Sequence, residues 1–420
     1  MIANYRILNL NGQLLALLLL FFGISSCTDL ASRDQGEVSQ VLVSGNQAKN
    51  VIPAADQPGL YVPKLMGKKV GLVVNQSSRV LDKHLLDTLL SLDVNVKKIF
   101  VPEHGFRGDK ADGAVINDEK DALTGLPVIS LYGRNKKPTK DHLDDLDVLV
   151  FDLQDVGVRC YTYLSTLHYV MEAAAENGKA IIVLDRPNPN GYFIDGPVLD
   201  TEFSSFVGMH PVPLVYGMTI GEYALMINGE GWLSQGLKCV LDVIPLKYYD
   251  RDQSYQLPVK PSPNLPDQRA VLLYPSLVLF EGTEVSIGRG TDHPFQCFGH
   301  PDYGLGSYTF IPRSMPSSTS PKWEGKTCYG ASLSALANDD IMGWRRLNLS
   351  WLLGMYEFLR DKTSFFREDE YFNKLAGTDQ LKIALENGST EAEIRLSWEN
   401  HLEEFKSRRE KYLLYPDYAY

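Results

Sequence analysis

Val70-Gly71-Leu72-Val73-Val74-Asn75-Gln76-Ser77-Ser78 decides the fold: an unbroken apolar run is followed at once by a polar one. A half-exposed strand would alternate, whereas a continuous apolar run of this length suits a strand buried on both faces of a parallel sheet. The same unit recurs outward from it. Lys98–Val101, Leu126–Leu131, Val148–Leu153 and Ala180–Leu184 are further strand-like runs. Between them, leucines at helical spacing over His84–Leu92 and an apolar segment over Tyr161–Asn177, stopped by Gly178, read as helices. Strands alternating with helices predict an α/β domain with a parallel sheet over residues 61–205.

Beyond residue 205 the pattern loosens. Met218–Asn228 reads as a helix, Cys239–Ile244 as a strand and Pro258–Pro266 as a proline-rich loop. Residues 270–330 mix short apolar runs with glycine, proline and aromatics, as expected of loops that contribute to a site. Two helices close the chain. One covers Leu347–Leu359. The other starts at Thr390 with Glu393 placed for a capping box, and packs the stripe Ile394, Trp398, Leu402 and Phe405. Residues 206–420 are therefore expected to form an α+β C-terminal domain.

The other end of the chain is of a different kind. Leu14–Ile24 is an uncharged apolar run preceded by Arg6. It is too short to span a bilayer, which needs about 20 apolar residues, and fits the core of a signal peptide over residues 1–26. Ile24-Ser25-Ser26-Cys27 resembles a bacterial lipobox, which makes Cys27 the expected lipidated N-terminus. Residues 27–60 are then a flexible polar stalk tethering the fold outside the cytoplasm. Thr28 stands where an inner-membrane retention aspartate would, which points to the outer membrane. Cys160, Cys239, Cys297 and Cys328 show no metal-like spacing and are expected to be buried and unpaired.

The composition, 44% apolar and 22% charged, is that of a globular protein. A net charge of −11 excludes a general nucleic-acid binder. Loss of the signal removes Arg6 and leaves 40 basic against 52 acidic side chains, a balance of −12.

Ligands of open parallel sheets bind outside the carboxyl ends of the strands, so the residues after each predicted strand are the site candidates. They are Asn75-Gln76-Ser77-Ser78, then Pro102-Glu103-His104-Gly105-Phe106-Arg107-Gly108, then Tyr132-Gly133-Arg134. The last two sets are Gln154-Asp155-Val156-Gly157-Val158-Arg159 and Asp185-Arg186-Pro187-Asn188-Pro189-Asn190-Gly191. The first turn has no phosphate-cradling glycine pattern and the chain has no G-x-S-x-G elbow, so no nucleotide cofactor and no serine nucleophile are expected. Carboxylates, His104 and arginines remain. Glu103 follows Ile99-Phe100-Val101-Pro102, an apolar floor that would keep its carboxyl protonated for general-acid work; its structural alternative is a pair with Arg107. Asp152, Asp155 and Asp185 are second carboxylates, sugar ligands, or partners of Arg159 and Arg186. The same carboxylates with His104 make the rival reading, a metal site, which no ligand-spacing motif supports.

Taken in order, these motifs resemble one family. They are the Val70–Ser77 run, Pro102-Glu103-His104-Gly105-Phe106-Arg107-Gly108, Thr124-Gly125-Leu126-Pro127-Val128 with Ser130-Leu131-Tyr132-Gly133, and Phe151-Asp152-Leu153-Gln154-Asp155-Val156-Gly157-Val158-Arg159. Tyr161-Thr162-Tyr163, Leu184-Asp185-Arg186-Pro187-Asn188-Pro189, Tyr216-Gly217-Met218-Thr219-Ile220-Gly221-Glu222, and Phe280-Glu281-Gly282-Thr283 through Gly288-Arg289-Gly290-Thr291 continue it. The family is the exo-β-N-acetylmuramidases of the NamZ type, and the resemblance covers about residues 60–415. It implies a Rossmann-like domain, a smaller C-terminal domain and an active-site cleft between them. The implied activity removes N-acetylmuramic acid (MurNAc) from the non-reducing end of peptidoglycan-derived MurNAc–GlcNAc fragments. With the phosphate-cradling and ligand-spacing motifs above absent, no cofactor and no metal are expected.

Glu103 then takes the catalytic place, with Asp155 and Asp185, or the substrate's acetamido group, as stabiliser of the developing positive charge. The substrate-binding set is Asn75, Gln76, His104, Arg107, Tyr132, Gln154, Arg159, Tyr163, Arg186, Asn188, Glu281, Thr283 and Arg289. Arg289 is the first choice for the lactyl carboxylate of MurNAc, since a guanidinium fork matches a carboxylate. Tyr132, Tyr161 and Tyr163 are candidates for packing on sugar faces. Gly299-His300-Pro301-Asp302-Tyr303 departs from the family pattern and is expected to change the cleft rim. Arg107, Arg134, Arg159, Arg186 and Arg289 would make the pocket locally positive in an acidic protein. The alternatives are a metal-dependent cell-wall deacetylase and a non-catalytic muropeptide-binding lipoprotein.

Overall fold

A computed structural model of the chain describes residues 50–106 and 119–418. The expected signal, Cys27 and Arg107 lie outside the described residues. The central sheet is built from β1 (Val70–Val74), β2 (Val96–Val101), β3 (Glu119–Lys120), β4 (Pro127–Ser130), β5 (Val148–Asp152), β6 (Ala180–Leu184) and β7 (Val240–Ile244), in the order β7-β6-β5-β1-β2-β4-β3. All neighbours pair in parallel except β3, which runs antiparallel to β4 at the edge. This is the expected α/β, Rossmann-like architecture.

The unbroken apolar runs are explained by packing on both faces. Val73, Leu149, Phe151, Ile181 and Val183 join one core with the helices Tyr163–Glu176 and Ile220–Gly229. Val70, Leu72, Val74, Val148, Val150 and Ile182, one residue out of step, join the other with the helices Pro58–Leu65 and Leu85–Ser91. Period-two alternation within a fully apolar strand sends side chains to both cores.

Two boundaries differ from the expectation. The sheet does not stop at residue 205: the helix Ile220–Gly229 leads to β7, which pairs with β6 over Val240–Ile244. Its apolar run is broken because it is an edge strand, where Val240 is exposed and Asp242 reaches Lys64 at 2.5 Å. Residues 50–60 are not stalk either. Ala54 and Ala55 are fully buried, the Ala54 amide donates to the Asp185 carbonyl at 3.1 Å, and the first helix starts at Pro58.

The C-terminal part is α+β, as expected. A three-stranded antiparallel sheet, ordered Cys297–His300, Cys328–Ser332, Tyr308–Phe310, is followed by helices that include Ser350–Leu359 and Glu391–Arg409. The Thr390–Glu393 capping box is formed, and Ile394, Trp398, Leu402 and Phe405 are buried. Among the described residues no helix is long and apolar enough to cross a membrane.

Candidate active site

After β2 the chain turns through Glu103, His104 and Gly105, the last two with φ of 72° and 73°, and the Gly105 amide donates to the Pro102 carbonyl at 3.1 Å. Positive φ is uncommon for histidine, so the turn is a committed local shape. Glu103 and His104 both line a cavity of about 530 Å3. Thr162 stands at the N-cap of the helix Tyr163–Glu176, where a threonine ordinarily accepts from its own helix's first amides. It makes no such bond; its hydroxyl donates instead to Glu103 Oε2 at 2.9 Å. Glu103 is half-buried, and that hydroxyl holds one of its oxygens.

The rest of the wall comes from far along the chain. Tyr132 follows β4, Cys160 and Tyr161 precede the helix, and Ser262, Asn264 and Leu265 belong to the proline-rich loop. That loop is pinned from the sheet side: Tyr161 donates to the Pro261 carbonyl at 2.8 Å, and Gln76 Nε2 to the Lys260 and Pro261 carbonyls at 3.2 Å each. The Cys160 thiol is pushed up to about 12 by burial, which disfavours the thiolate a nucleophile needs. The described cysteines are all unpaired, as expected.

Arg289 and Glu281 face Glu103's cavity from the C-terminal part. Gly288 and Gly290 flank the arginine with φ of 77° and 79°. A Cβ on the first would sit 2.6 Å from Cys297 Sγ, and one on the second 2.6 Å from the Arg313 carbonyl, so both must be glycine to present Arg289 on so tight a turn. Arg289 donates to Glu281 through Nε at 3.0 Å and through Nη2, and its guanidinium lies 5.1 Å from the centre of the Phe295 ring. Arg367, Asp369, Tyr371 and the hydroxyl run Ser317–Ser320 complete the wall. Partial burial works against the Asp369 carboxylate, but the Arg367 guanidinium outweighs it and holds the carboxyl below its usual range. None of these residues was singled out from sequence, because Arg367-Glu368-Asp369-Glu370-Tyr371 follows no strand of the main sheet and no motif marks it.

Of the predicted residues, Glu103, His104, Tyr132, Tyr161, Glu281 and Arg289 come together around this cavity. The others among the described residues do not line it, and have structural partners instead. Arg159 is buried and donates to the carbonyls of Pro197, Val212, Leu375 and Ala376. Arg186 grips Asp152 at 2.5 and 2.8 Å. Asp155 accepts from the Tyr216 hydroxyl and, at 2.7 Å, from the Gly157 amide. Asp185 accepts from Thr219, Gly221 and Tyr415, anchoring the start of the helix Ile220–Gly229. Asn75 donates to the Tyr163 hydroxyl at 2.7 Å, Gln154 to the carbonyls of Asp155 and Pro187, and Asn188 to that of Met218. Thr283 bonds its own turn.

With separate partners for Asp152, Asp155 and Asp185, the carboxylates of the metal reading do not converge, and among the described residues no three His, Cys, Asp or Glu side chains do. His300 and Tyr303 do not reach the cavity: His300 is fully buried, edge-on to Trp323, and Tyr303 packs on Phe358. Arg134 is exposed and also lies off the cavity. The cations of the described wall are Arg289 and Arg367, set against Glu103, Glu281 and Asp369, so the described wall is not the locally positive one expected.

Comparison with known proteins gives the chain's family and its fold. The family model described as exo-beta-N-acetylmuramidase NamZ, N-terminal, matches residues 70–269, and its C-terminal counterpart matches residues 272–415. The division falls in the first turn of the helix Gln268–Leu277, not at residue 205. A Bacillus subtilis (strain 168) protein named peptidoglycan beta-N-acetylmuramidase NamZ is 38% identical over 374 residues, covering 84% of this chain and 89% of its own. A crystal structure of a DUF1343 family protein from Bacteroides fragilis NCTC 9343 superposes with a TM-score of 0.81 at 44% identity, covering 88% of this chain and 100% of that one. A second from the same organism gives 0.72 at 29%, covering 87% and 99%.

Proposed function

Because this chain belongs to the exo-beta-N-acetylmuramidase NamZ family, we propose that the 530 Å3 cavity is its active site and Glu103 its general acid. The chain is a glycoside hydrolase, a β-N-acetylmuramidase. Its substrates on this reading are peptidoglycan-derived MurNAc–GlcNAc fragments, from whose non-reducing end it releases single MurNAc residues.

The observation that carries the reading is the Thr162–Glu103 hydrogen bond in the wall of a cavity lined by both halves of the chain. Cleavage requires a proton on the departing glycosidic oxygen and negative charge near the anomeric carbon as it becomes cationic. Thr162 fixes one oxygen of Glu103, so the carboxyl meets the glycosidic oxygen in a set orientation. Glu281 and Asp369, each held by an arginine, supply the anionic groups that Asp155 and Asp185 cannot, since those two are turned into the protein.

The test is hydrolysis of a chromogenic β-MurNAc glycoside against the matching β-GlcNAc glycoside. Wild-type protein should turn over the MurNAc compound preferentially, and Glu103→Gln should lower that turnover by about 10²–10⁴-fold while melting normally. Equal rates on the two glycosides would sink the specificity, and a fully active Glu103→Gln would sink the role of Glu103.

The same reading places the enzyme outside the cytoplasm, at the outer membrane, on a lipid anchor at Cys27. Its support is the uncharged run Leu14–Ile24 followed by Ile24-Ser25-Ser26-Cys27. Cys27→Ala should move the protein from the membrane to the soluble fraction; an unchanged distribution would remove the anchor.

A further inference from the structure

The active-site cavity has an alcove. A smaller space of about 180 Å3 opens beside it, lined in part by Glu281, Arg289, Ser318, Ser320, Lys322 and Arg367. All of these except Lys322 also line the main cavity, so the two spaces share a wall. The alcove's own lining thus sets three cations against one carboxylate, Glu281, which is committed to Arg289, while Asp369 on the wall of the main cavity pairs with Arg367.

Lys322 pairs with no carboxylate among the described residues. Its ammonium donates to the carbonyls of Phe280 at 2.9 Å, Glu281 at 3.2 Å and Thr283, and burial pushes its pKa down to about 8. That depression measures the penalty of holding a cation without a full counter-charge. Arg367 is built differently. Its Nε and Nη2 take Asp369 and its face lies 5.2 Å from the centre of the Tyr371 ring. Nη1 makes no hydrogen bond within the described residues, nor do the hydroxyls of Ser318 and Ser320. A guanidinium held on one edge and one face, with a nitrogen left over, is pre-organised to take an anion at little further entropic cost.

We propose that this alcove is the subsite for the carboxylate of the lactyl ether of MurNAc, and that Arg367 is the specificity-determining residue that reads it. The assignment rests on the muramidase reading above, which supplies the sugar. The alcove has the size for a short acid beside a sugar ring in the main cavity. Its charge discriminates against GlcNAc, which lacks the acid, and against a lactyl group whose acid has become an amide. Arg289, the choice from sequence, contributes its charge, but its fork already lies on Glu281.

The experiment measures binding of free MurNAc, its lactyl amide and GlcNAc by calorimetry, together with kcat and KM on the chromogenic β-MurNAc glycoside, for wild type, Arg367→Ala and Arg367→Lys. Wild type should prefer the acid. Arg367→Ala should weaken the acid about ten- to a hundredfold and the amide by less than about threefold, the range for losing a charge-assisted hydrogen bond. The kinetic loss should fall mainly in KM, and Arg367→Lys should restore part of it, because an ammonium returns the charge without the fork. Equal weakening of acid and amide, or none, overturns the subsite. Turnover of the MurNAc glycoside without discrimination between acid and amide overturns the subsite alone, whereas absence of turnover overturns the muramidase reading and leaves the binding preference to judge the alcove.

Discussion

The carboxyl ends of β1, β5 and β6 carry the same residue types as those of β2 and β4, yet the two groups have opposite fates. At β1 and β5, where the strand order reverses and a parallel sheet usually binds its ligand, the crevice is filled by the protein itself. Ser78 donates to the Asp152 carbonyl, the Gln154 amide to Ser77 Oγ at 3.2 Å, and Asn75 to Tyr163. At β2 and β4, one step along the sheet, Glu103, His104 and Tyr132 open on the cavity. The difference lies in what comes back from later in the chain. Tyr415 and Thr219 return to close over Asp185, and Tyr216 over Asp155, whereas the proline-rich loop and the turn bearing Arg289 stand off from Glu103 and leave space. A polar strand end is therefore a site only when the distal chain leaves space over it.

Two arginines turn that contrast into a measurement. Arg186 on Asp152 is 2% exposed on its side chain and Arg289 on Glu281 is 23% exposed. Arg186→Ala strands a buried carboxylate and should cost about 3–5 kcal/mol of stability. Arg289→Ala should cost about 1 kcal/mol or less, because its partner keeps contact with water, and should show instead in weaker binding of MurNAc. Urea denaturation of the two variants checks this. Similar losses in both would mean that the cavity is as structural as the closed ends and would break the comparison.

The sheet was legible because its signal is local: each apolar run and each helix stop can be read within about ten residues, and Val70–Val74 and Ala180–Leu184 fall on their predicted limits. β7 was found as a strand but assigned to the wrong domain, since an edge strand with Asp242 in it lacks the unbroken pattern of its neighbours. Glu103 was legible because a motif and a strand end coincide. Arg159 and Arg186 were misread for the same reason, as nothing in a loop sequence says whether its arginine meets carbonyls, a carboxylate or solvent. Arg367 and Asp369 were invisible: they join the site only through tertiary packing, some 260 residues after Glu103.

Asp155 offers the sharper, smaller test of a closed end. Its Oδ2 takes the Tyr216 hydroxyl and the Gly157 amide, its Oδ1 has no partner among the described residues, and burial, against those two bonds, pushes its pKa up to about 7. The unfolded value is about 3.9, so between about pH 4 and 7 the folded state binds more protons than the unfolded one. Stability must then fall as pH rises across that window, by at most about 1.4 kcal/mol per pH unit for this group. Asp185, also pushed up to about 7 by burial, adds a slope of the same sign. Asp155→Asn keeps the shape of the protonated carboxyl and cannot ionise, so it should remove one of the two contributions. Its stability relative to wild type, measured in urea at pH 5, 6, 7 and 8, should be near zero or slightly negative at pH 5 and should turn positive by pH 8. An advantage that does not grow with pH would mean that Asp155 is ionised and solvated in the folded protein, which would return the β5 end to the list of open ones.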